Sequence, residues 1–158
     1  MIRMKKNILK IMPVILLALF SYLFITSCSV NDNPQPIKLG QDDCTACKMT
    51  LMEGQYACEF ITDKGKCYKF DDLSCLFNYL AKNGIADENV LKIYVGDYQD
   101  PEKLIDLKTS SIVMGKDIHS PMGGGIAVFS DKESAIAFAE ETRSTLVDSW
   151  TRLKKSKR

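Results

Sequence analysis

The chain has 158 residues, of which 46% are hydrophobic, and its 21 basic and 20 acidic residues give a formal net charge of +1. The basic residues concentrate at the two ends and are not interleaved with aromatic ones, which argues against a nucleic-acid-binding protein. The length suits one domain or two very small lobes.

The first 27 residues have the organisation of a secretory signal. A basic start is followed by an apolar run over residues 11–25, about 15 residues long, which is shorter than the roughly 20 that a membrane-spanning helix needs. The run ends in I-T-S-C, where an apolar and two small residues precede Cys28, the pattern of a bacterial lipobox. We predict a lipoprotein signal peptide at 1–27, lipidation of Cys28 and a flexible tether over 28–41. The alternative is an odd cysteine near an ordinary cleavage site.

Removal of the signal changes the charge, and lipidation of Cys28 changes the number of cysteines that could pair. Of the 21 basic residues four leave with the signal, so 17 basic and 20 acidic residues remain, and five of the 17 lie in the last seven residues. The mature protein is therefore an acidic globular part with a basic, frayed tail at 151–158. Five cysteines remain besides Cys28: Cys44, Cys47, Cys58, Cys67 and Cys75. Because an odd number cannot pair completely within one chain, at least one sulfur is free or has another role.

The first part of the folded region reads as strand–strand–helix–strand. Residues 56–62 and 67–70 are predicted strands joined by the turn D-K-G, which makes a hairpin. Asp71 or Asp72 can cap a helix that ends at Gly84, and residues 90–95 form the next strand. The helix is indicated by apolar residues at spacings of three and four: Leu73, Leu76, Phe77 and Leu80.

A weaker copy of this unit follows. The stretch GKCYKFDDLSCLFNYLA, from Gly65, aligns without gaps with GGIAVFSDKESAIAFAE, from Gly124. A shared strand, acidic cap and amphipathic helix in one constant register indicate duplication; chance similarity of two strand-to-helix junctions is the alternative.

These patterns predict an α+β protein of two similar small strand–strand–helix–strand units in tandem, each sheet covered by one helix. The first unit spans 42–100 and contains the C-x-x-C-x-M motif. The second spans 101–150 and contains the P-M-G-G-G loop. In the second unit, residues 111–114 supply the first strand, and the helix is predicted from Lys132 through Arg143 toward Trp150.

Two stretches are rich in soft ligand atoms. In CTACKM, Cys47 and Met49 are separated by a single residue, and in an extended segment their side chains would point the same way. In IHSPMGGG, Met122 lies at a loop tip between a proline and three glycines, a poor place for a core residue. A thiolate with thioethers favours Cu(I) over zinc, calcium or magnesium. We predict that Cys47, Met49 and Met122 bind Cu(I).

Other readings of these residues stay open. Cys44 is a further candidate ligand, but a C-x-x-C pair is often a redox pair or half of a zinc site. His119, the single histidine, is a candidate ligand or an exposed loop residue, and Met49 could be the first core residue. The remaining cysteines lie in apolar company and are predicted to be buried thiols or a cross-strand disulfide: Cys58, Cys67 and Cys75.

The blocks CTACKM, YKFDDLSCLFNYL, YVGDY and SPMGGGIAVF, in this order after the lipobox cysteine, resemble the NosL family of copper-binding lipoproteins associated with maturation of nitrous oxide reductase. The resemblance covers Cys28 and residues 43–139. It implies two similar strand–strand–helix–strand units, places Cys47 and Met49 in the family's cysteine–methionine motif, and places Met122 in its Pro-Met-Gly loop. It does not explain the cysteines at 58 and 67.

The function predicted is an extracytoplasmic Cu(I)-binding chaperone held on a bacterial membrane by its lipid. Its partners are the copper ion and a client copper enzyme or its maturation machinery, with nitrous oxide reductase implied by the resemblance. The sequence shows no base–nucleophile pair of the kind that would indicate an enzyme. The alternatives are a thiol–disulfide oxidoreductase using Cys44 and Cys47, and a structural lipoprotein with a disulfide between them. Against the oxidoreductase, the pair precedes a strand, and the neighbouring aspartates are expected to raise the thiol pKa.

Overall fold

The computed structural model describes residues 30–147 and Leu153. In this part of the chain, two small antiparallel sheets are each accompanied by one helix. The first half contains strands β1 (Cys58–Thr62) and β2 (Cys67–Phe70), helix α1 (Leu73–Lys82), a 3-10 turn (Asp87–Asn89), and strands β3 (Val90–Gly96) and β4 (Leu104–Asp106). The second half contains strands β5 (Ser111–Met114) and β6 (Ile126–Phe129), helix α2 (Lys132–Glu141) and strand β7 (Thr145–Val147).

The two sheets repeat one topology. The first has the strand order β2-β1-β3-β4 and the second β6-β5-β7, so in each the second strand, the first strand and the strand after the helix lie side by side. The central strand of each is paired on both edges: Phe60 faces Tyr68 and Ile93. Two tandem strand–strand–helix–strand units are thus confirmed. Strand β4, which the sequence pattern did not indicate, extends the first sheet beyond β3.

The gap-free alignment of the two units is matched in the structure from β2 and β6 through both helices. At each helix start, an aspartate carboxylate accepts a hydrogen bond from the N–H of the third residue along: Asp72 from Cys75 at 3.0 Å and Asp131 from Ser134 at 2.7 Å. This is the N-cap contact that supplies a partner to one of the open N–H groups of a first turn. The duplication therefore extends to the capping side chains.

The two helices also end in the same way, which corrects one prediction. Helix α2 stops at Glu141 and does not continue through Arg143 toward Trp150, which lies outside the described residues. Arg143 has a left-handed backbone with φ of 52°, as Gly84 has after α1 with φ of 61°, and the N–H of Ser144 bonds back into the last turn at 2.8 Å. This is a Schellman ending formed without glycine, so no glycine marked it in the sequence.

Both sheets contribute to one main hydrophobic cluster. It joins Phe60 and Phe70 of the first sheet with Ile112 and Val128 of the second, and all four side chains are at most 1% exposed. Leu153, inside the tail predicted to be basic and frayed, is fully buried in the same cluster. The chain therefore packs into this core at least at Leu153, which follows β7 in the sequence.

Residues 31–41 of the predicted tether lie against the first sheet. The hydroxyl of Tyr94 donates to the carbonyl of Asp32 at 2.9 Å, and the N–H of Gln35 donates to Oε1 of Glu59 at 2.8 Å. Glu59 is fully buried. The predicted signal peptide and Cys28 lie outside the described residues. Among the helices that the structure describes, none combines the length and apolar character needed to cross a membrane.

Candidate metal centre

The C-x-x-C-x-M segment forms a tight turn of a small hairpin. Asp43 pairs with Thr50 as an isolated antiparallel bridge, the N–H of Cys44 donates to the carbonyl of Met49 at 2.8 Å, and Lys48 turns the chain with φ of 67°. The expectation that Cys47 and Met49 lie in an extended segment is therefore wrong. Their relative direction is decided by the left-handed residue between them and not by strand alternation.

The turn directs its cysteines toward a third cysteine on helix α1. The sulfur atoms of Cys44, Cys47 and Cys75 all lie within 4.8 Å of one another, and all three residues are free thiols. Cys44 is fully buried, Cys75 is 5% exposed and Cys47 is half-buried. Three thiols thus converge where the hairpin turn meets the first turn of the helix.

The spacing of this cluster suits one metal ion. With metal–sulfur bonds of roughly 2.3 Å, the length in zinc–thiolate sites, a trigonal arrangement needs sulfur atoms roughly 4 Å apart. The three sulfur atoms lie within 4.8 Å of one another, which is compatible with that spacing, and no disulfide bond joins them. The residues present can therefore act as three thiolate ligands to a soft ion.

Backbone N–H groups favour the thiolate form of Cys44. Burial by itself raises the pKa of this thiol, but the N–H groups of Cys47, Asp71 and Ala46 point at the sulfur and bring its pKa below the ordinary value. Burial raises the pKa of Cys47 and of Cys75, and negative charge on Cys44 adds to both effects. Cys44 therefore loses its proton more readily than Cys47 and Cys75, for which a negative charge would lie beside that of Cys44.

The neighbouring aspartates do not have the predicted effect on Cys44. Asp42 accepts a hydrogen bond from Lys69 at 2.6 Å, and Asp43 accepts one from Thr50 at 3.0 Å. Asp42 is therefore paired with a cation, and the pKa of Cys44 is lowered and not raised. The prediction that these aspartates raise the pKa of that thiol is wrong.

Cys58 and Cys67 lie outside the three-sulfur cluster. Burial, with the charges of Asp72 and the neighbouring cysteines, holds the pKa of Cys58 well above its usual range, so it stays a neutral thiol. Cys67 donates to Oε2 of Glu59 at 3.1 Å, and burial raises its pKa to about 12. In the sheet, Cys58 faces Phe70 and Cys67 faces Ile61, so these two are not cross-strand partners and both are free thiols.

Met122 lies on the rim of a cavity that adjoins the cluster. The cavity has a volume of about 400 Å³ and is lined by Cys47, Cys75 and Met122 together with Thr45, Ala46, Asn78, Tyr79, Lys82 and Asn83. Met122 is 41% exposed, so the residue is accessible from solvent. The tertiary structure therefore brings the predicted loop methionine, which belongs to the second unit, to the same cavity as two cysteines of the first.

Met49 and His119 are placed differently. The side chain of Met49 is 56% exposed, and Met49 is not among the described residues that line the thiol cavity. His119 is exposed, with Nδ1 2.9 Å from the carbonyl oxygen of Asp117. It lines a separate cavity of about 710 Å³ in the second unit, together with Lys116 and Arg143.

The cysteine that sequence reasoning missed is Cys75. It was predicted to be a buried thiol or one half of a disulfide, because its neighbours on the helix are apolar. Two signals could have singled it out: the odd number of cysteines besides Cys28, and its place in the first helical turn after the capping Asp72, where N–H donors are open. The spacing of the cysteines along the chain did not indicate that Cys75 lies close to Cys44, because β1 and β2 separate them.

A sequence profile described as NosL matches residues 36–149 of the chain. The chain belongs to the NosL family. The crystal structure of the copper chaperone NosL from Shewanella denitrificans matches with a TM-score of 0.64 and 25% sequence identity, covering 74% of this chain and 92% of that chain. No curated protein sequence matches the chain.

The NosL match confirms the predicted family, and the structural likeness confirms the predicted fold. The matched residues, 36–149, include both the hairpin turn and the P-M-G-G-G loop. The three-cysteine cluster of this NosL-family protein therefore lies within the part of the chain that the family profile covers.

Proposed function

We propose that this NosL-family protein is a copper chaperone that binds Cu(I) through Cys44, Cys47 and Cys75, with Met122 as an additional thioether donor. The observation that carries the proposal is the convergence of three sulfur atoms within 4.8 Å of one another next to a cavity that Met122 also lines. The similarity to a structure named as a copper chaperone supports it.

The donor set favours Cu(I) among the common metal ions. Thiolates and thioethers are soft ligands, which bind Cu(I) well, whereas calcium and magnesium prefer oxygen ligands. Zinc accepts thiolates but completes four ligands with imidazole, carboxylate or thiolate, and His119 lines another cavity. A thioether as the next available donor therefore distinguishes this site from a structural zinc site.

The site is suited to a cargo that must leave again. A structural metal site is closed by its ligands, whereas this cluster adjoins about 400 Å³ of open space, the volume of about a dozen water molecules at roughly 30 Å³ each. A donor from another protein can enter that space and take over the ion stepwise, while the thiols remain held by the turn and the helix. Met49, exposed beside the turn, stays a predicted copper donor, and its position suits contact with an entering ion.

We propose further that the protein is not an enzyme. A thiol–disulfide oxidoreductase needs an attacking thiolate that its substrate can reach. The cysteine with the lowered pKa, Cys44, is fully buried, and the more accessible Cys47 has a raised pKa. The favoured nucleophile and the accessible sulfur are therefore different atoms, which argues against redox turnover by this pair.

The proposal also covers the enzyme that receives the copper and the cellular location of the protein. The NosL resemblance implies nitrous oxide reductase, or its maturation machinery, as the copper acceptor. The lipobox at Cys28 supports an extracytoplasmic protein anchored to a bacterial membrane by lipid. Copper-loaded protein should restore copper to metal-free nitrous oxide reductase, and Cys28→Ser should move the protein out of the membrane fraction. Failure of either result rejects that part of the proposal without touching copper binding.

Copper binding is tested by anaerobic titration with Cu(I) in competition with a chelator, followed by X-ray absorption on the loaded protein. We expect one Cu(I) per chain with sulfur neighbours and no nitrogen neighbour. The matched control is a variant in which the two cysteines outside the cluster, Cys58 and Cys67, are replaced by Ala and Ser. Full affinity in a variant lacking all three cluster cysteines would reject the proposed site.

A further inference from the structure

The carboxylate of Asp72 connects the two units at the thiol cluster. Its Oδ1 accepts the N–H of Cys75 at 3.0 Å. Its Oδ2 accepts the hydroxyl of Ser120 at 2.7 Å and the N–H groups of Met122 and Gly124, both at 3.3 Å. One side chain therefore holds the backbone of a cluster cysteine and the backbone of the loop methionine.

The packing around this carboxylate is close. Asp72 is 2% exposed and Ser120 8% exposed. A Cβ added to Gly124 would lie 3.0 Å from Oδ2 of Asp72 and 2.6 Å from the hydroxyl of Ser74. The loop thus approaches the start of α1 as near as a residue without a side chain allows.

The duplicated unit supplies an internal comparison. Asp131 occupies the same place at the start of α2, and its Oδ2 accepts both the N–H and the hydroxyl of Ser134, each at 2.7 Å. These contacts are local, and Asp131 is exposed. Capping a helix in this fold therefore does not require a carboxylate that reaches into another loop, so the contacts of Oδ2 in Asp72 are additional to capping.

We propose that Asp72 is a positioning residue that holds the Met122 loop over the thiol cluster and thereby controls how fast the copper ion leaves. The inference rests on the proposed function and extends it to the regulation of release. While the Asp72 contacts persist, the Met122 thioether stays at the rim of the cavity. Movement of the loop away from the cluster requires that the bonds from Met122 and Gly124 to Oδ2 break together with that from Ser120.

The test uses Asp72→Asn, because asparagine caps helices as well as aspartate. Its amide oxygen can keep the bond from Cys75, but its NH₂ group then faces two N–H donors of the loop. Ser120→Ala removes the shortest loop contact and leaves the cap untouched. Asp131→Asn is the matched control in the other unit.

Two measurements are made on the full-length protein. In the metal-free state, hydrogen exchange of the Met122 and Gly124 amides should be faster in Asp72→Asn and Ser120→Ala than in the wild type, and unchanged in Asp131→Asn. In the Cu(I)-loaded state, transfer of copper to a chelator should be about tenfold faster in Asp72→Asn, the size expected when hydrogen bonds to a charged group are lost. Asp131→Asn should stay within about twofold of the wild type, as a distant surface change does.

A double-mutant cycle decides whether Asp72 acts through Met122. If it does, Asp72→Asn and Met122→Leu together should release copper no faster than the faster single variant. The positioning role would be overturned if the two substitutions multiplied their effects on the rate of copper release, or if exchange of the loop amides were unchanged in Asp72→Asn. Either result would leave copper binding by the wild type intact. A wild type that binds no Cu(I) would instead overturn the proposed function and, with it, the control of release.

Discussion

The sulfur atom of Cys75 lies within 4.8 Å of that of Cys47, although both strands of the hairpin, β1 and β2, separate them along the chain. Cys47 is held by the hairpin turn that Lys48 closes, and Cys75 by the first turn of a helix capped by Asp72. Both supports are local backbone structures, so their sulfurs are positioned before any metal arrives. Such preorganisation lowers the cost of binding.

Cys75 should be as important for copper affinity as the C-x-x-C pair. We expect Cys75→Ser to weaken Cu(I) binding by more than about 100-fold, since loss of a direct ligand should exceed the roughly 10–100-fold cost of losing a residue that only supports one. Chelator competition under anaerobic conditions measures this. Cys67→Ser is the matched control: its hydroxyl can still donate to Glu59, and its affinity should equal that of the wild type. Equal loss in both variants would contradict the three-cysteine site.

The two predicted methionine ligands can be separated. Met122 lines the thiol cavity and Met49 does not, so Met122→Leu should accelerate copper release about tenfold, a change of about 1.4 kcal/mol. Met49→Leu should alter equilibrium affinity less than about twofold, while loading from a copper donor becomes slower if Met49 meets the entering ion first. Leucine conserves volume at each position. A larger loss of affinity in Met49→Leu would reverse the assignment.

Gly124→Ala should disturb the loop that carries Met122. The new methyl group would lie 2.6 Å from the hydroxyl of Ser74, so the loop or that side chain must shift, at a cost of about 1–3 kcal/mol in the free energy of unfolding. Chemical denaturation measures the loss. Removal of the obstructing hydroxyl in Gly124→Ala/Ser74→Ala should restore part of it. Absence of any recovery would show that the other neighbours of Gly124 limit the space.

Glu59 should make stability depend on pH. Burial raises the pKa of this carboxyl above its ordinary value of 4.5, against the hydrogen bonds from Gln35 and Cys67. A raised pKa means that the folded state favours the protonated form. The stability that protonated Glu59 contributes is therefore fully present below pH 4.5 and is lost as the pH rises through the folded-state pKa.

Glu59→Gln is neutral at every pH and should not show that loss. Its stability relative to the wild type should therefore increase between about pH 4 and about pH 8, which urea titrations of the reduced protein would show as a more positive difference in the free energy of unfolding. Glu88→Gln, at an exposed carboxylate, is the control and should follow the wild-type profile. Parallel profiles for the wild type and Glu59→Gln would contradict the prediction.

Local sequence signals located most of the fold. Strand β2 and the starts of both helices were readable, because hydrophobic spacing and capping aspartates act over a few residues. The end of α2 was not, because Arg143 takes the left-handed backbone that glycine usually marks. Strand β4 was missed as well: it is too short to show a period, and pairing with β3 defines it.

The sequence by itself determined the duplication, the family and the presence of soft donors in two separate stretches, since all of these are patterns of residue type along the chain. Only the tertiary structure decided which sulfurs meet. Cys75 joins Cys44 and Cys47 because α1 packs beside the hairpin turn, and Met122 reaches their cavity because Asp72 accepts hydrogen bonds from its loop. Distances between residues far apart in sequence depend on packing, and packing has no period that a sequence pattern can display.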